Sequence, residues 1–254
     1  MSARAADIVA FLDELLDIER FADYGPNGLQ VPGADGVETV LTGVSAHREL
    51  FERAVAQPAQ LVLAHHGILW DAQPRRITPA QAARLKLLLT HDIGLAAYHL
   101  PLDAHPQLGN NALLAAGLGA SSHVPAFEAK GSDIGVIAYF EDPGLPAQEL
   151  FARVAQLTNR EPLVFAGGPA TVRTLGIVSG GGASSLHEAI AAGLDAFLTG
   201  EPAEWAMADA REGAIHFVAA GHYATETFGI RRVGELVAER FGVAHVFAEI
   251  PNPV

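Results

Sequence analysis

The chain has 254 residues, half of them hydrophobic and 18% charged, with eleven histidines and no cysteine. Sixteen basic against 29 acidic residues give a formal charge of −13, a field that repels nucleic acid and anionic membrane, so no DNA, RNA or membrane partner is expected. Without cysteine, disulfides, iron–sulfur clusters, thiolate zinc sites and cysteine nucleophiles are excluded, and any metal must be held by imidazole and carboxylate.

In chain order, Met1 to Leu16 comes first and places Ile8, Phe11, Leu12, Leu15 and Leu16 at helical spacing. Arg4, Asp7, Asp13 and Glu14 deny it a signal peptide's apolar core, and no run reaches the ~18 apolar residues of a membrane span, so a cytoplasmic protein is expected. Beyond it, short apolar strands alternate with helical patterns. Strand Val40–Val44 precedes helix Arg48–Ala56, strand Leu61–Ala64 precedes helix Pro79–Thr90, and strand Gly94–Leu100 precedes helix Asn111–Ala116. Ser121–Asp133, polar and aperiodic, reads as a linker. Strand Ile134–Phe140, a loop at Asp142–Pro146, helix Gln148–Leu157, strand Thr174–Ser179 and helix Ser185–Ala192 follow. Strand Ala196–Thr199, helix Ala203–Arg211, strand Ile215–Ala219, helix Phe228–Phe241 and strand Ala244–Ile250 complete the series. Continuously apolar strands in such alternation predict an α/β protein with largely parallel sheets covered on both faces.

A weak internal repeat runs through this pattern. Val44 to Gly67 aligns with Val178 to Glu201 as strand, turn, helix and strand, with His65-His66 in one copy where the other has Gly200-Glu201. The next units align Ala96–Asp103 with Ala219–Glu226, each reading Ala-Ala-x-His-x-x-x-(Asp/Glu). The expected domains are 1–125 with 215–254, carrying the metal site, and 126–214 as a second α/β domain.

Three segments carry candidate chemistry, each at the carboxyl end of a strand, where parallel α/β sheets open into ligand crevices. His65 and His66 follow Leu61–Ala64, and in extended backbone they point apart, one toward each ion of a pair; the plainer alternative is a core histidine with an exposed neighbour. His99, Asp103 and His105 sit on a loop stiffened by Pro101, and an aspartate there is either a bridge between two cations or a helix cap. His222 and Glu226 share one face if a helix begins at Tyr223, with Glu226 otherwise a helix N-terminal carboxylate. Together these nitrogen and oxygen donors suit two divalent ions, zinc, iron or manganese, with positions left for water. Ser179–Gly182 is neither G-x-G-x-x-G nor a P-loop and reads as a tight strand-to-helix turn, with phosphate cradling as the other option. His187 reads as a surface residue.

Five motifs then carry a resemblance: Tyr24–Val31, Leu63–Trp70, Tyr98–Asn111, Gly221–Glu226 and Ile250–Pro253. In this order and without large insertions, the chain resembles the Nif-three-like dinuclear-metal-centre family, often labelled GTP cyclohydrolase I type 2, in its short bacterial form. The resemblance implies two similar three-layer α/β/α halves from internal duplication, with the metal site between them, and a toroidal homohexamer, a trimer of dimers. It implies metal ligands at His65, His66, Asp103, His222 and Glu226, with His99 in or beside the site. The expected function is a dinuclear-metal hydrolase of a nucleotide or similar small molecule, with GTP ring opening the specific candidate and His99 and His105 as candidate proton shuttles. A non-catalytic hexameric metal-binding scaffold or regulatory interaction protein is the alternative.

Overall fold

The apolar runs become the inner strands of two separate sheets in a computed structural model that describes residues 2–74 and 76–254. In chain order, β1 (Ala3–Arg4) opens into α1 (Ala5–Leu15), followed by β2 (Gly28–Val31), β3 (Gly36–Val37) and β4 (Thr39–Ser45). Then come α2 (Arg48–Ala56), β5 (Leu61–His66), α3 (Pro79–Thr90), β6 (Gly94–Ala97) and α4 (Leu100–Asp103). Helix α5 (Asn110–Leu118) leads to β7 (Ser122–Ala129), β8 (Ser132–Tyr139), β9 (Leu145–Pro146), α6 (Ala147–Thr158), β10 (Leu163–Phe165), β11 (Thr171–Val172) and β12 (Thr174–Val178). The chain closes with α7 (Leu186–Ala191), β13 (Ala196–Thr199), α8 (Ala206–Glu212), β14 (His216–Ala219), α9 (His222–Thr225), α10 (Thr227–Phe241) and β15 (Ala244–Phe247). No helix among the described residues is long and apolar enough to cross a membrane.

Two units emerge: Met1–Leu102 with Gly229–Ile250, and Asp103–Phe228 with Pro251–Val254. The first holds a sheet in the order β15-β4-β5-β6-β2, parallel except for β2. Its inner strands are apolar on both faces, as covered parallel strands must be, with Leu61, Val62, Leu63 and Ala64 fully buried. Helix α3 begins in a capping box between Thr78 and Gln81, with Pro79 at its first position.

The second unit holds the order β10-β14-β13-β12-β8-β7, of which β12, β13 and β14 alone run parallel. Its antiparallel half corrects the expectation of largely parallel sheets. The expected linker Ser121–Asp133 is most of a hairpin: Ala129 pairs with Ser132 across Lys130-Gly131, both at positive φ as a two-residue turn of that hand requires. Side chains of this sheet divide into two cores, Leu175, Ile177, Leu198 and Val218 on one and Phe127, Phe197 and Phe217 on the other. The division also departs from the expected 1–125/215–254 and 126–214, because β14 is hydrogen-bonded between β13 and β10, and β7 to β8, within the second sheet.

The duplication is explicit in the order of elements. β1-α1-β2-β3-β4-α2-β5-α3-β6-α4 recurs as β9-α6-β10-β11-β12-α7-β13-α8-β14-α9. In both copies the two short strands pair with each other, and the strand between them lies antiparallel at the sheet edge. The carboxamide oxygen of Gln60 accepts from the N–H groups of Glu38 and Thr39, and the carboxylate of Asp195 does the same for Arg173 and Thr174. The register corrects the sequence alignment by one residue. Leu61 pairs with Gly94 and Ala196 with His216, which sets Ala97 opposite Ala219 in the repeat and His99 opposite Gly221, not His222. The letters favour the other register, because it matches both alanines and the histidines, whereas the strand pairing matches Ala97 with Ala219 alone. By the same count Ser45 corresponds to Gly180, and His66 does correspond to Glu201.

Candidate metal centre

In the first unit, β5 continues past Ala64 and carries His65, fully buried, and His66, partly buried, at its carboxyl end; His99 follows β6. The three rings lie with centroids 4.6, 5.2 and 5.6 Å apart, and their nitrogens come within 4.8 Å of one another. The two adjacent histidines and His99 thus form one group of candidate donors. Ser45 Oγ, at the end of β4, holds His66 Nδ1 at 3.0 Å and keeps that ring beside its neighbour.

Each imidazole uses Nδ1 for an oxygen partner. His65 Nδ1 donates to the Tyr98 carbonyl at 2.9 Å, and His99 Nδ1 donates to Asp23 Oδ1 at 2.7 Å. A carbonyl accepts only, so the proton of His65 sits on Nδ1 and the Nε2 lone pair is the donor it can offer a cation. Tyr98 is anchored by its hydroxyl, which donates to Asp13 Oδ1 at 2.8 Å. Burial, then the neighbouring Asp13 carboxylate, push that hydroxyl far above its ordinary range, and burial raises Asp13 as well. Asp23, outside the candidates that the sequence singles out, lies one residue before the Tyr24–Val31 motif. Its other oxygen receives Asn27 Nδ2 and the Leu100 N–H, each at 2.9 Å. Burial alone would raise the Asp23 carboxyl, but the bond and charge of His99, with the Asn27 and Tyr24 donors, hold it below the ordinary value. Trp70 stands edge-on to His99 at 5.2 Å.

In the second unit, Asp103 ends α4, nearly buried. Its Oδ1 accepts from Asn110 Nδ2 at 2.8 Å and from Ser179 Oγ at 3.3 Å. The N-cap of the following helix is Gly109, so the helix-cap alternative for Asp103 gives way. Fully buried Asn111 donates to the Ile134 carbonyl at 2.7 Å and accepts from the Ser179 N–H at 2.8 Å.

His222 opens α9, and its Nε2 meets Glu226 Oε2 at 3.1 Å, the contact that their spacing predicts. Its Nδ1 is bonded to Glu201 Oε1 at 2.5 Å. Burial pulls the His222 pKa down, but the bonds and charges of Glu226 and Glu201 outweigh it and push the group up to about 9. In the sequence Glu201 stands only as the partner of Gly200 at a strand end; its signal is its place opposite His66 in the repeat.

The Ser179–Gly182 turn serves these carboxylates. Gly180 sits at φ +61°, and a Cβ there would overlap Glu226 Oε1. Its N–H donates to Thr225 Oγ1, and its carbonyl accepts from Gly200 and Glu201. With the Ser179 and Gly180 amides both engaged, the turn reading prevails over a phosphate cradle. His105 Nδ1 accepts from the N–H groups of Gln107 and Leu108 at 3.2 and 3.0 Å, which closes the loop before α5. Burial holds its pKa below the ordinary value. His187 is exposed, as expected, and bonded to Asp209.

The fold and its side chains define a duplicated α/β protein whose strand ends carry imidazole and carboxylate groups able to hold a divalent metal. The sequence pattern of the Duf34/NIF3 (NGG1p interacting factor 3) family matches residues 3–253, and the chain belongs to that family. It is 42% identical over 255 residues to a Pseudomonas aeruginosa protein called GTP cyclohydrolase 1 type 2 homolog, covering 100% of both chains. Among solved structures, protein ybgI, described as of unknown function, is 38% identical with a TM-score of 0.93, covering 99% of this chain and 100% of that one. A crystal structure from Thermus thermophilus is 35% identical with a TM-score of 0.91 over the same shares. The resemblance read from the five motifs is thereby borne out.

Proposed function

We propose that the chain is a dinuclear-metal-dependent hydrolase of a nucleotide or similar small molecule, with ring opening of GTP as the specific candidate. The supporting observation is the set of imidazoles at the strand ends of the first unit, each with Nδ1 already bonded to oxygen. That is the arrangement of metal-ligating histidines, whose second nitrogen is fixed by an oxygen partner. The residues that would hold the metal are His65, His66, Asp103, His222 and Glu226. Two divalent ions, zinc, iron or manganese, would acidify a water for attack on an electrophile and offset a substrate's negative charge.

The chain's own groups then have separate tasks. Asp23 fixes the His99 ring and its protonated nitrogen, which leaves Nε2 to accept or return a proton. His105 is the other candidate shuttle, through Nε2, since its Nδ1 holds the loop. Asn110 and Ser179 orient Asp103, and Gly180 leaves space for Glu226.

The test is to load the protein with each metal, add GTP and related nucleotides, and follow formate and ring-opened product. Turnover that disappears, together with bound metal, in Asp103→Ala and Glu226→Ala supports the proposal. Full metal occupancy without turnover of any nucleotide defeats the hydrolase and leaves a metal-binding scaffold. Retained metal in both variants defeats the ligand set. The proposal includes a cytoplasmic homohexamer, and a stable monomer by mass measurement in solution would refute that part.

A further inference from the structure

We infer that Glu201 is a positioning residue that fixes the tautomer and orientation of His222 for metal binding. This rests on the proposed role of His222 as a ligand and goes beyond it, since Glu201 is outside that ligand set.

The repeat supplies the first argument. In the first unit the hydroxyl of Ser45 holds His66 by Nδ1. The residue corresponding to Ser45 in the second unit is Gly180, which has no side chain and could not gain one beside Glu226. The residue corresponding to His66 is Glu201, and its carboxylate takes up the task that the hydroxyl performs in the other copy. Duplicate positions thus hold a ring to be oriented in one unit and the acceptor that orients a ring in the other.

Local geometry supplies the second. The Glu201 N–H donates to the Gly180 carbonyl at 2.9 Å, so its backbone is fixed on the same turn that leaves room for Glu226. From there Oε1 reaches His222 Nδ1, while Nε2 of the same ring faces Glu226. A neutral imidazole carries one N–H; a carboxylate at Nδ1 keeps it there and leaves the Nε2 lone pair as ligand. Without that acceptor only the Glu226 contact at Nε2 remains, which draws the proton to the nitrogen that should face the metal and leaves the Nδ1 side of the ring unanchored.

The experiment uses the intact protein and Zn²⁺, titrated against a chromophoric chelator. Glu201→Ala is expected to weaken zinc binding by about 10–100-fold, the range for removing such an oxygen partner. Glu201→Gln, which keeps an acceptor oxygen, loses less, and Glu204→Ala, an exposed acid on the same turn, changes nothing. Melting curves confirm that each variant is folded. Wild-type zinc affinity in Glu201→Ala overturns the inference. An equal loss in Glu201→Gln and Glu201→Ala also overturns it, since charge alone would then act. A wild type that takes up no metal defeats the proposed function and this inference together, whereas a zinc-binding wild type with an indifferent Glu201→Ala defeats this one alone.

Discussion

Replacing Gly180 with alanine perturbs the carboxylate end of the candidate centre through a single methyl group. The new Cβ would overlap Glu226 Oε1 and stand 3.0 Å from both Glu226 Cδ and His222 Nε2. Ordinary contacts settle near 3.5–4.0 Å, so Oε1, the nearest atom, must retreat by at least about 1 Å. It is nearly buried, which leaves little room for the retreat. Left-handed backbone at φ +61° adds about 1 kcal/mol for a residue with a Cβ, and forced repacking about 1–3 kcal/mol. The sum, about 2–4 kcal/mol, corresponds to a fall in melting temperature of roughly 4–16 °C for a chain of this size. Gly181→Ala is the matched control, with open space around its Cβ and no left-handed φ. Scanning calorimetry reads the stability, and elemental analysis after dialysis reads bound metal. Gly180→Ala should lose both while Gly181→Ala keeps both. A Gly180→Ala protein that melts and binds metal like the wild type would refute the reasoning about this turn.

Asp23→Ala removes the acceptor for His99 Nδ1 and the Leu100 N–H, and should cost about 1–3 kcal/mol in denaturant titration. Because the folded Asp23 pKa lies below its ordinary 3.8, its contribution is full above that value and is lost as pH falls through the folded value; the variant's acid limb should therefore be shallower. Asn111→Leu strands the Ser179 N–H and the Ile134 carbonyl, for about 1–3 kcal/mol each, and a midpoint matching the wild type would contradict the bonding described. His245, bonded to Thr42 at 2.7 Å, is held below 6.5 mainly by burial. The unfolded chain thus takes up this proton first as pH falls below 6.5, and stability declines from there until the folded group also titrates. His245→Gln should flatten that decline in melting curves recorded as pH is lowered from 6.5.

Sequence periodicity locates the inner strands and main helices of both units to within a few residues, because continuous burial on both faces leaves uninterrupted apolar runs. It misses β7, a largely exposed edge strand, and with it the hairpin to β8, where only Lys130-Gly131 marks the turn. The donor residues are legible as histidines and acids at strand ends. Their supporting partners are not. Asp23, Ser45 and Glu201 reach their imidazoles across separations of 76, 21 and 21 residues, distances over which no local pattern operates. The repeat is visible, but matching its alanines and histidines by letter sets the last unit one residue out of the register that the hydrogen-bonded strands define.

The sheet of the first unit is completed from the far end of the chain. β15 pairs with β4, yet everything from Ala46 to Val243 lies between the end of one strand and the start of the other. During synthesis, the stretch Asp103–Phe228 emerges and can fold while the flank of β4 still has no partner. An unpaired strand edge is a template for association with other chains. Ribosome-bound or truncated forms ending before Ala244 are therefore the species in which aggregation should concentrate, and closing that edge is a late, long-range step.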